Sequence, residues 1–495
     1  MAGFFDYSMQ DNAIRIVTEG ATKTIPITAM LDQEIRRWLV SEQRKWQVAG
    51  NNYYEGRHDI LKKKRMAIGQ GGQLEEITNL PNSKNIDNQY RKMVKQKTNY
   101  LCGKPFSVRA DNDVYTEALG QFFNRSFFRQ FKNIAKDSLN CAIGWLYVGY
   151  DEQGQFRFKR FKPWELIPGW KDADHTELDY MIRRYMVDVY DGREYKKQER
   201  IEYYTLQGID YFMRYNGSIV ACAPWHEDYF TMDGNNYNWQ RLPFIPFRYN
   251  DEEIPLIANC KSLQDGLNKI ISNFEDNMEE DPRNTIMVLV NYAGENLGEF
   301  RRNLATYGAV KVTSRDGVSG DVKTLSVEVN AENYKSILDI FRKAIVENCM
   351  GFDAKDERMN GTPNQMNIQS MYSDIDLDAS DMETEFQAAL EQLIWFINMH
   401  LVNTGVGDFT NENHEIIFNT DMPMDEASTI QNIRNSVGIL STETLIANHP
   451  WTSGNPQKEI EQLKKEKQEE IDQYSGAFGG ENQPTRGENP PTDNE

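Results

Sequence analysis

The sequence predicts an α+β fold, and three observations carry that expectation. Apolar residues recur at helical spacing through most of the first 143 residues, then alternate at strand spacing from 144 to 250. Two amphipathic segments, Leu263-Leu267-Ile270-Ile271-Phe274-Met278 and Tyr334-Ile337-Leu338-Phe341-Ile345, bracket a compact β–α–β–β module. A long helical pattern over 373–403 follows a polar, glycine-containing loop around Asn360 to Asn367. Helices first and sheet second is an α+β order.

In chain order, residues 1–30 are weakly patterned, with short strands expected. A helix is predicted over 31–56, burying Ile35, Trp38, Leu39 and Trp46. The basic run Lys62-Lys63-Lys64-Arg65 leads to a glycine-rich turn, and a lysine-rich helix over 86–101 stops at Gly103-Lys104-Pro105. Two further helices are expected over 114–123 and 127–143. Strands are predicted at 145–150 and 156–161 around the turn Asp151-Glu152-Gln153-Gly154, then at 180–190, 201–206, 211–215 and 218–223. The sheet closes with Leu242-Pro243-Phe244-Ile245-Pro246-Phe247.

The first of the paired helices ends at Pro282, which removes a helical N–H and clashes with the preceding turn. Strands at 286–290, 309–313 and 322–327 and a helix at 297–307 make up the module. The second paired helix covers 331–350. After 403 come a strand at 415–419, short helices at 425–437 and 442–448, and a charged helix at 456–472. The remaining tail is Gly, Asn, Pro, Thr and Glu, a composition with nothing to bury, and is expected to be disordered.

Composition narrows the function. A formal charge of −20 opposes a protein that holds nucleic acid across a generally basic surface, since such binding neutralises phosphates. The five cysteines (Cys102, Cys141, Cys222, Cys260, Cys349) lack the short spacing of a zinc site and suit a reducing compartment. Neither a signal peptide nor a membrane span is expected: the longest apolar run, 393–402, is about half of the ~20 residues a span needs. These features point to a soluble intracellular protein.

No catalytic constellation stands out. Gly103-Lys104 lacks the earlier glycine of a phosphate-cradling loop and is followed by proline. Asp374, Asp376, Asp378 and Glu385 occupy positions 1, 3, 5 and 12 of a calcium loop, but Ala379 stands where a glycine must turn the chain. An acidic first helical turn, which complements the helix dipole, accounts for them better. The histidines form no metal-binding pattern, and Met366, Met371 and Met382 read as packing residues. Neither a catalytic residue, a metal nor a cofactor is expected.

Several stretches resemble one family: Tyr53-Tyr54-Glu55-Gly56, Asn99-Tyr100-Leu101-Cys102-Gly103-Lys104-Pro105, Pro243-Phe244-Ile245-Pro246-Phe247, Leu297-Gly298-Glu299-Phe300-Arg301-Arg302-Asn303-Leu304 and Tyr372-Ser373-Asp374-Ile375-Asp376-Leu377. In this order, across about residues 30–450, the chain is similar to the portal proteins of tailed bacteriophages, of the type found in long-tailed phages of Gram-positive hosts.

The resemblance implies a portal fold. Residues 1–260 would form the wing, 261–282 and 329–350 the stem, 283–328 the clip and 351–371 the tunnel loop. A long kinked wing helix and strand would cover 372–423, a crown 424–472 and a disordered tail 473–495. It also implies a virion protein: a ring of twelve subunits at one capsid vertex, assembled in the host cytoplasm. Double-stranded DNA passes through the ring during packaging and ejection without sequence-specific contacts. The implied partners are terminase, a head–tail connector, and major capsid and scaffolding proteins.

By position, the tunnel loop would present Lys355, Arg358, Asn360, Gly361, Thr362, Asn364 and Gln365 to the DNA, the stem would line the channel with Lys269, Lys335 and Lys343, and the clip would meet partners through Glu299, Arg301, Arg302 and Arg315. Twelve copies at −20 each carry about −240 charges, a channel that repels the phosphate backbone rather than grips it. Two other readings are a different structural or adaptor protein of the virion and a metal-dependent nuclease built on the acids at 374–385.

Overall fold

A computed structural model describes residues 26–68, 73–78, 80–232, 234–280, 286–290, 321–325, 331–353, 365–419, 426–447, 449, 452 and 459–468. The chain divides into two units, residues 1–353 with 372–421, and residues 354–371 with 422–495.

The larger unit begins with α1 (Ile27–Val40) and α2 (Glu42–Glu55). The single helix expected over 31–56 is therefore two. Ser41 leaves the helical region at φ −63°, ψ 149°, and its side chain accepts a hydrogen bond from the Arg44 N–H, capping the second helix and ending the first. A short hairpin, β1 (Met66–Ile68) with β2 (Leu74–Glu76), precedes α3 (Gln89–Cys102). Then come β3 (Ser107–Ala110), α4 (Asp113–Phe122) and α5 (Arg125–Cys141). Asn88, Asn112 and Asn124 each cap the helix that follows them.

The region predicted as one antiparallel sheet forms two, with a separate hairpin. One sheet is three-stranded, with β4 (Ile143–Tyr150) between β5 (Phe156–Phe161) and β13 (Phe244–Arg248). The other is five-stranded, in the order β10-β9-β8-β7-β6, from β6 (Leu166–Trp170), β7 (Leu178–Asp191), β8 (Glu194–Thr205), β9 (Gly208–Tyr215) and β10 (Ser218–Glu227). The hairpin pairs β11 (Phe230–Met232) with β12 (Asn235–Tyr237). Leu31, Ile35 and Trp38 of α1 pack on Ile182, Ile201 and Phe212 of the larger sheet.

Next come α6 (Ile257–Glu280), β14 (Ile286–Val290), β15 (Asp321–Leu325), α7 (Ala331–Asn348), α8 (Gln365–Asn403) and β16 (His414–Ile417). Two predicted strands of the module are present as β14 and β15, paired antiparallel, whereas the predicted helix at 297–307 and strand at 309–313 lie outside the described residues. α6 starts four residues before the expected 261. α8 starts at Gln365, so residues 365–371, expected in the loop, are helical. At 1.5 Å per residue its 39 residues span about 58 Å.

Phe386, Leu390, Leu393 and Ile397 of α8 lie in the main core. The Phe386 ring meets Phe131 of α5 and Phe247 of β13, with centroids 5.6 and 5.1 Å away. β16 pairs with β3, joining segments some 300 residues apart. In the second unit, α9 (Glu426–Asn435) and α10 (Thr442–Ala447) match the predicted short helices, and residues 459–468 are helical. Residues 473–495 lie outside the described residues.

Candidate channel elements and their mounting

α6 and α7 are the paired helices read from the sequence, and they run antiparallel. A methyl group placed on Gly266 would meet the Phe341 ring at 2.6 Å, so the absence of a side chain there allows this close approach. Further along, the rings of Phe274 and Tyr334 lie 4.6 Å apart, and Asn277 donates to the Tyr334 hydroxyl at 3.3 Å. The apolar stripe is buried near the body, at Leu267, Ile345 and Val346. Farther out, Met278, Ile337 and Ile340 are 52, 40 and 65% exposed. A single copy leaves these side chains in water, at a cost that scales with apolar area.

The opposite face of α6 carries a polar ladder that the apolar periodicity does not reveal. Gln264, Asn268, Ser272 and Asp276 recur every four residues and are all buried. Each accepts a backbone N–H from residues 83–90: Gln264 from Tyr90 at 3.0 Å, Asn268 from Asp87 at 3.1 Å, Ser272 from Asn85 at 2.9 Å and Asp276 from Ser83 at 2.6 Å. Residues 81–88 form no helix or strand, and these side chains satisfy backbone donors that a ladder strand would otherwise satisfy. Arg342 of α7 pairs with Asp87 at 2.9 Å, so both helices grip the same segment.

His58 belongs to the same network. Its Nε2 faces the Tyr53 carbonyl at 2.9 Å, which only accepts, so that nitrogen carries the proton. Nδ1 then accepts from the Asn268 amide at 2.8 Å. Burial lowers the imidazole pKa below 6.5, opposed by the Tyr53 carbonyl and by Asp265 and Asp59.

The basic run has internal partners. Lys63 pairs with Asp276 at 2.7 Å, Lys62 with Asp59 at 2.8 Å and Lys64 with Glu76 at 2.8 Å, while Arg65 donates to the Pro81 carbonyl at 2.9 Å.

α3 pins both flanks of the predicted loop. The Gln96 side chain donates to the Phe352 carbonyl at 2.7 Å and accepts the Phe352 N–H at 2.9 Å. Lys97, almost fully buried, donates to the Met350 carbonyl at 3.2 Å and pairs with Asp378 of α8 at 2.6 Å. Burial pushes its ammonium pKa down while Asp378 opposes that shift. Tyr249 also donates to Asp378, and Tyr100 donates to Asp376 at 2.8 Å. Glu385 faces Arg248 at 3.5 Å. The acids that mimicked a calcium loop are thus helical, and all four have protein partners, Asp374 accepting from the Ser373 hydroxyl at 3.5 Å. They lie beyond the first turn of α8, which opens at Gln365 and holds no acid, so the expected complement to the helix dipole is not their role. Among the described residues no group of three or more His, Cys, Asp or Glu is placed to hold a metal ion, and all five cysteines are free thiols.

Of the site residues read from the sequence, Lys269 on α6 and Lys335 and Lys343 on α7 are exposed. Lys355, Arg358, Asn360, Gly361, Thr362 and Asn364 lie outside the described residues, as do Glu299, Arg301, Arg302 and Arg315. Gln365, expected in the loop, opens α8. Among the described residues no helix is long and apolar enough to cross a membrane.

Residues 41–473 match the family of phage portal proteins described as SPP1 Gp6-like. The chain belongs to that family. It is 27% identical to the portal protein of Bacillus phage SPP1 over 437 residues, covering 87% of this chain and 84% of that protein. It is also 27% identical to the portal protein of Clostridium phage phiCD119 over 414 residues, covering 81 and 88%. Among solved structures it is similar to a chain in the neck of an empty gene transfer agent particle, with 10% identity, a TM-score of 0.41 and coverage of 72% of this chain and 88% of that one.

Proposed function

We propose that this chain is the portal subunit of a tailed-phage capsid, closing into a ring at one vertex through which double-stranded DNA is packaged and later ejected. The observation that carries the reading is the match to the portal family over residues 41–473. The relatives share it over more than four fifths of both lengths. The ring is a homo-oligomer of twelve copies in the virion, with terminase and a head–tail connector docking on it in turn and capsid and scaffolding proteins surrounding it.

In this reading α6 and α7 are the stem, and residues 283–328 between them the clip, with Glu299, Arg301, Arg302 and Arg315 as its partner-facing charges. The exposed Met278, Ile337 and Ile340 support it, because a ring gives each stem pair two neighbours against which to bury them. Lys269, Lys335 and Lys343 supply sparse positive charge to the channel wall. The residues from Lys355 to Asn364 form a largely neutral collar that touches DNA without reading its sequence. Each tight phosphate contact must break for the duplex to slide, so weak contacts suit a conduit.

Shortening residues 360–365 tests the collar: rings should assemble and DNA packaging should fail. Normal packaging by that variant contradicts the assignment. Negative-stain images of the purified chain test the ring, which should show a central hole.

A further inference from the structure

α3 and α5 depart from the charge of the rest of the chain. Overall, 75 acids face 55 lysines and arginines. These two helices hold eight lysines and arginines and a single acid, Asp137, which is buried and paired with Arg160. On α5 the basic residues Arg125, Arg129, Lys132 and Lys136 are spaced by four, three and four, one face of a helix. Its apolar residues Phe127, Phe131, Ile134 and Leu139 are buried.

The two helices lie side by side, with Tyr90 of α3 donating to Asn140 of α5 at 2.7 Å. One turn farther, Lys95 stands close enough to Lys136 to perturb it. Burial lowers the Lys136 pKa first, and the like charges of Lys132, Arg160 and Lys95 add to the shift. Arg91, Lys92, Lys95, Arg125 and Arg129 are exposed. Among the described residues Lys92, Lys95, Arg125, Arg129, Lys132 and Lys136 make no ion pair.

Like charges that no carboxylate pairs with oppose one another, and an anionic partner relieves that repulsion. We propose that this face of α3 and α5 binds the sugar–phosphate backbone of double-stranded DNA, at a site separate from the axial channel. The stripe from Arg125 to Lys136 is about 17 Å long, which spans about five phosphates of one strand at 3.4 Å each.

An acidic protein surface fits less well. Protein interfaces are enriched in aromatic anchors and depleted in lysine, and neither helix contributes an exposed large apolar side chain. Within a Debye length of about 8 Å at physiological salt, the local cations outweigh the distant acidic surface. The binding is weak and steeply salt-dependent.

The test uses the full chain and covalently closed circular duplex DNA, which cannot thread a ring that has already closed. The parent chain should bind it at low salt, and the triple variant Arg129→Gln/Lys132→Gln/Lys136→Gln should flatten the plot of log affinity against log salt by about 3. A control with the same loss of charge, Lys45→Gln/Lys62→Gln/Lys64→Gln, removes cations that already pair with carboxylates and should keep the parent slope.

Three results overturn the proposal. The first is no binding by the parent at low salt, and the second is equal slopes for the two triple variants. The third is a triple variant that loses poly-glutamate but retains DNA. Native mass of each variant reports ring assembly separately, so a failed ring and a failed DNA site give different results.

Discussion

The rings of Phe352 and Tyr372 stack with centroids 4.3 Å apart, holding together the two ends of residues 353–371. Gln96 grips the backbone of Phe352 from both sides, and the Tyr100 ring lies 6.1 Å from that of Tyr372. The flanks of the proposed collar are therefore fixed to α3. Tyr372→Ala should forfeit the ring pair, about 0.5–1.5 kcal/mol beyond the lost area. Hydrogen exchange at Phe352 should quicken while exchange in β7 and β8 stays unchanged. A uniform increase across both regions contradicts a local clasp.

Lys97 and Asp378 form a buried pair whose members depend on each other. Lys97→Met leaves the carboxylate without its cation and should cost about 3–5 kcal/mol in a denaturant titration. Adding Asp378→Asn removes the stranded charge and keeps an acceptor for Tyr249, so the double variant should recover most of the loss. Additive losses would show that the two residues act independently.

The polar ladder predicts site-resolved effects. Ser272→Ala removes the acceptor for Asn85 N–H alone, whereas Gln264→Leu strands both the Tyr90 N–H and the Asp87 carbonyl, which its amide donates to at 2.7 Å. Each stranded buried group costs about 1–3 kcal/mol. The urea midpoint should therefore fall further for Gln264→Leu, and Ser272→Ala should speed exchange chiefly at Asn85. A larger fall for Ser272→Ala contradicts the ladder.

His58 sets a pH dependence of definite sign. Its folded-state pKa lies below the ordinary 6.5, so the unfolded chain binds its proton more readily. The stability it contributes is complete above pH 6.5 and is lost as pH falls from 6.5 toward the lowered value. His58→Gln should remove that component, which appears as the difference between parent and variant across pH 7 to 5. Identical pH profiles would sink the neutral-imidazole assignment.

Much of this architecture was legible in the chain. The 3.6-residue and two-residue periodicities located α3 to α7, the long strand β7 and the second half of β8, because burial on one face imposes those periods. Ser41 illustrates a local miss: the apolar pattern continues across it, and only its capping side chain breaks the helix. β3 lay beyond reach for another reason, since a four-residue strand gains its pairing from β16, far away in sequence.

The loop boundary shifted because Gln365 to Met371 contain neither Gly nor Pro and continue the helix of Tyr372 to Asn403. The ladder and the basic stripe both recur at helical spacing, but polar residues at that period ordinarily mark a solvated face, so their spacing does not by itself distinguish a buried ladder from an exposed surface. The conduit residues proposed between 355 and 364 rest on family position, since a neutral polar loop carries no chemical signature.

The central claim is that the chain works as a closed ring, and the mass of the native assembly measures it most directly. Native mass spectrometry of the full chain at micromolar concentration should give a discrete assembly near twelve copies of 57.5 kDa, about 690 kDa. Replacing the exposed apolar positions with Ile337→Asp and Ile340→Asp should shift that population toward monomers. A parent chain that remains monomeric, or that forms only a continuous distribution of masses, contradicts the account.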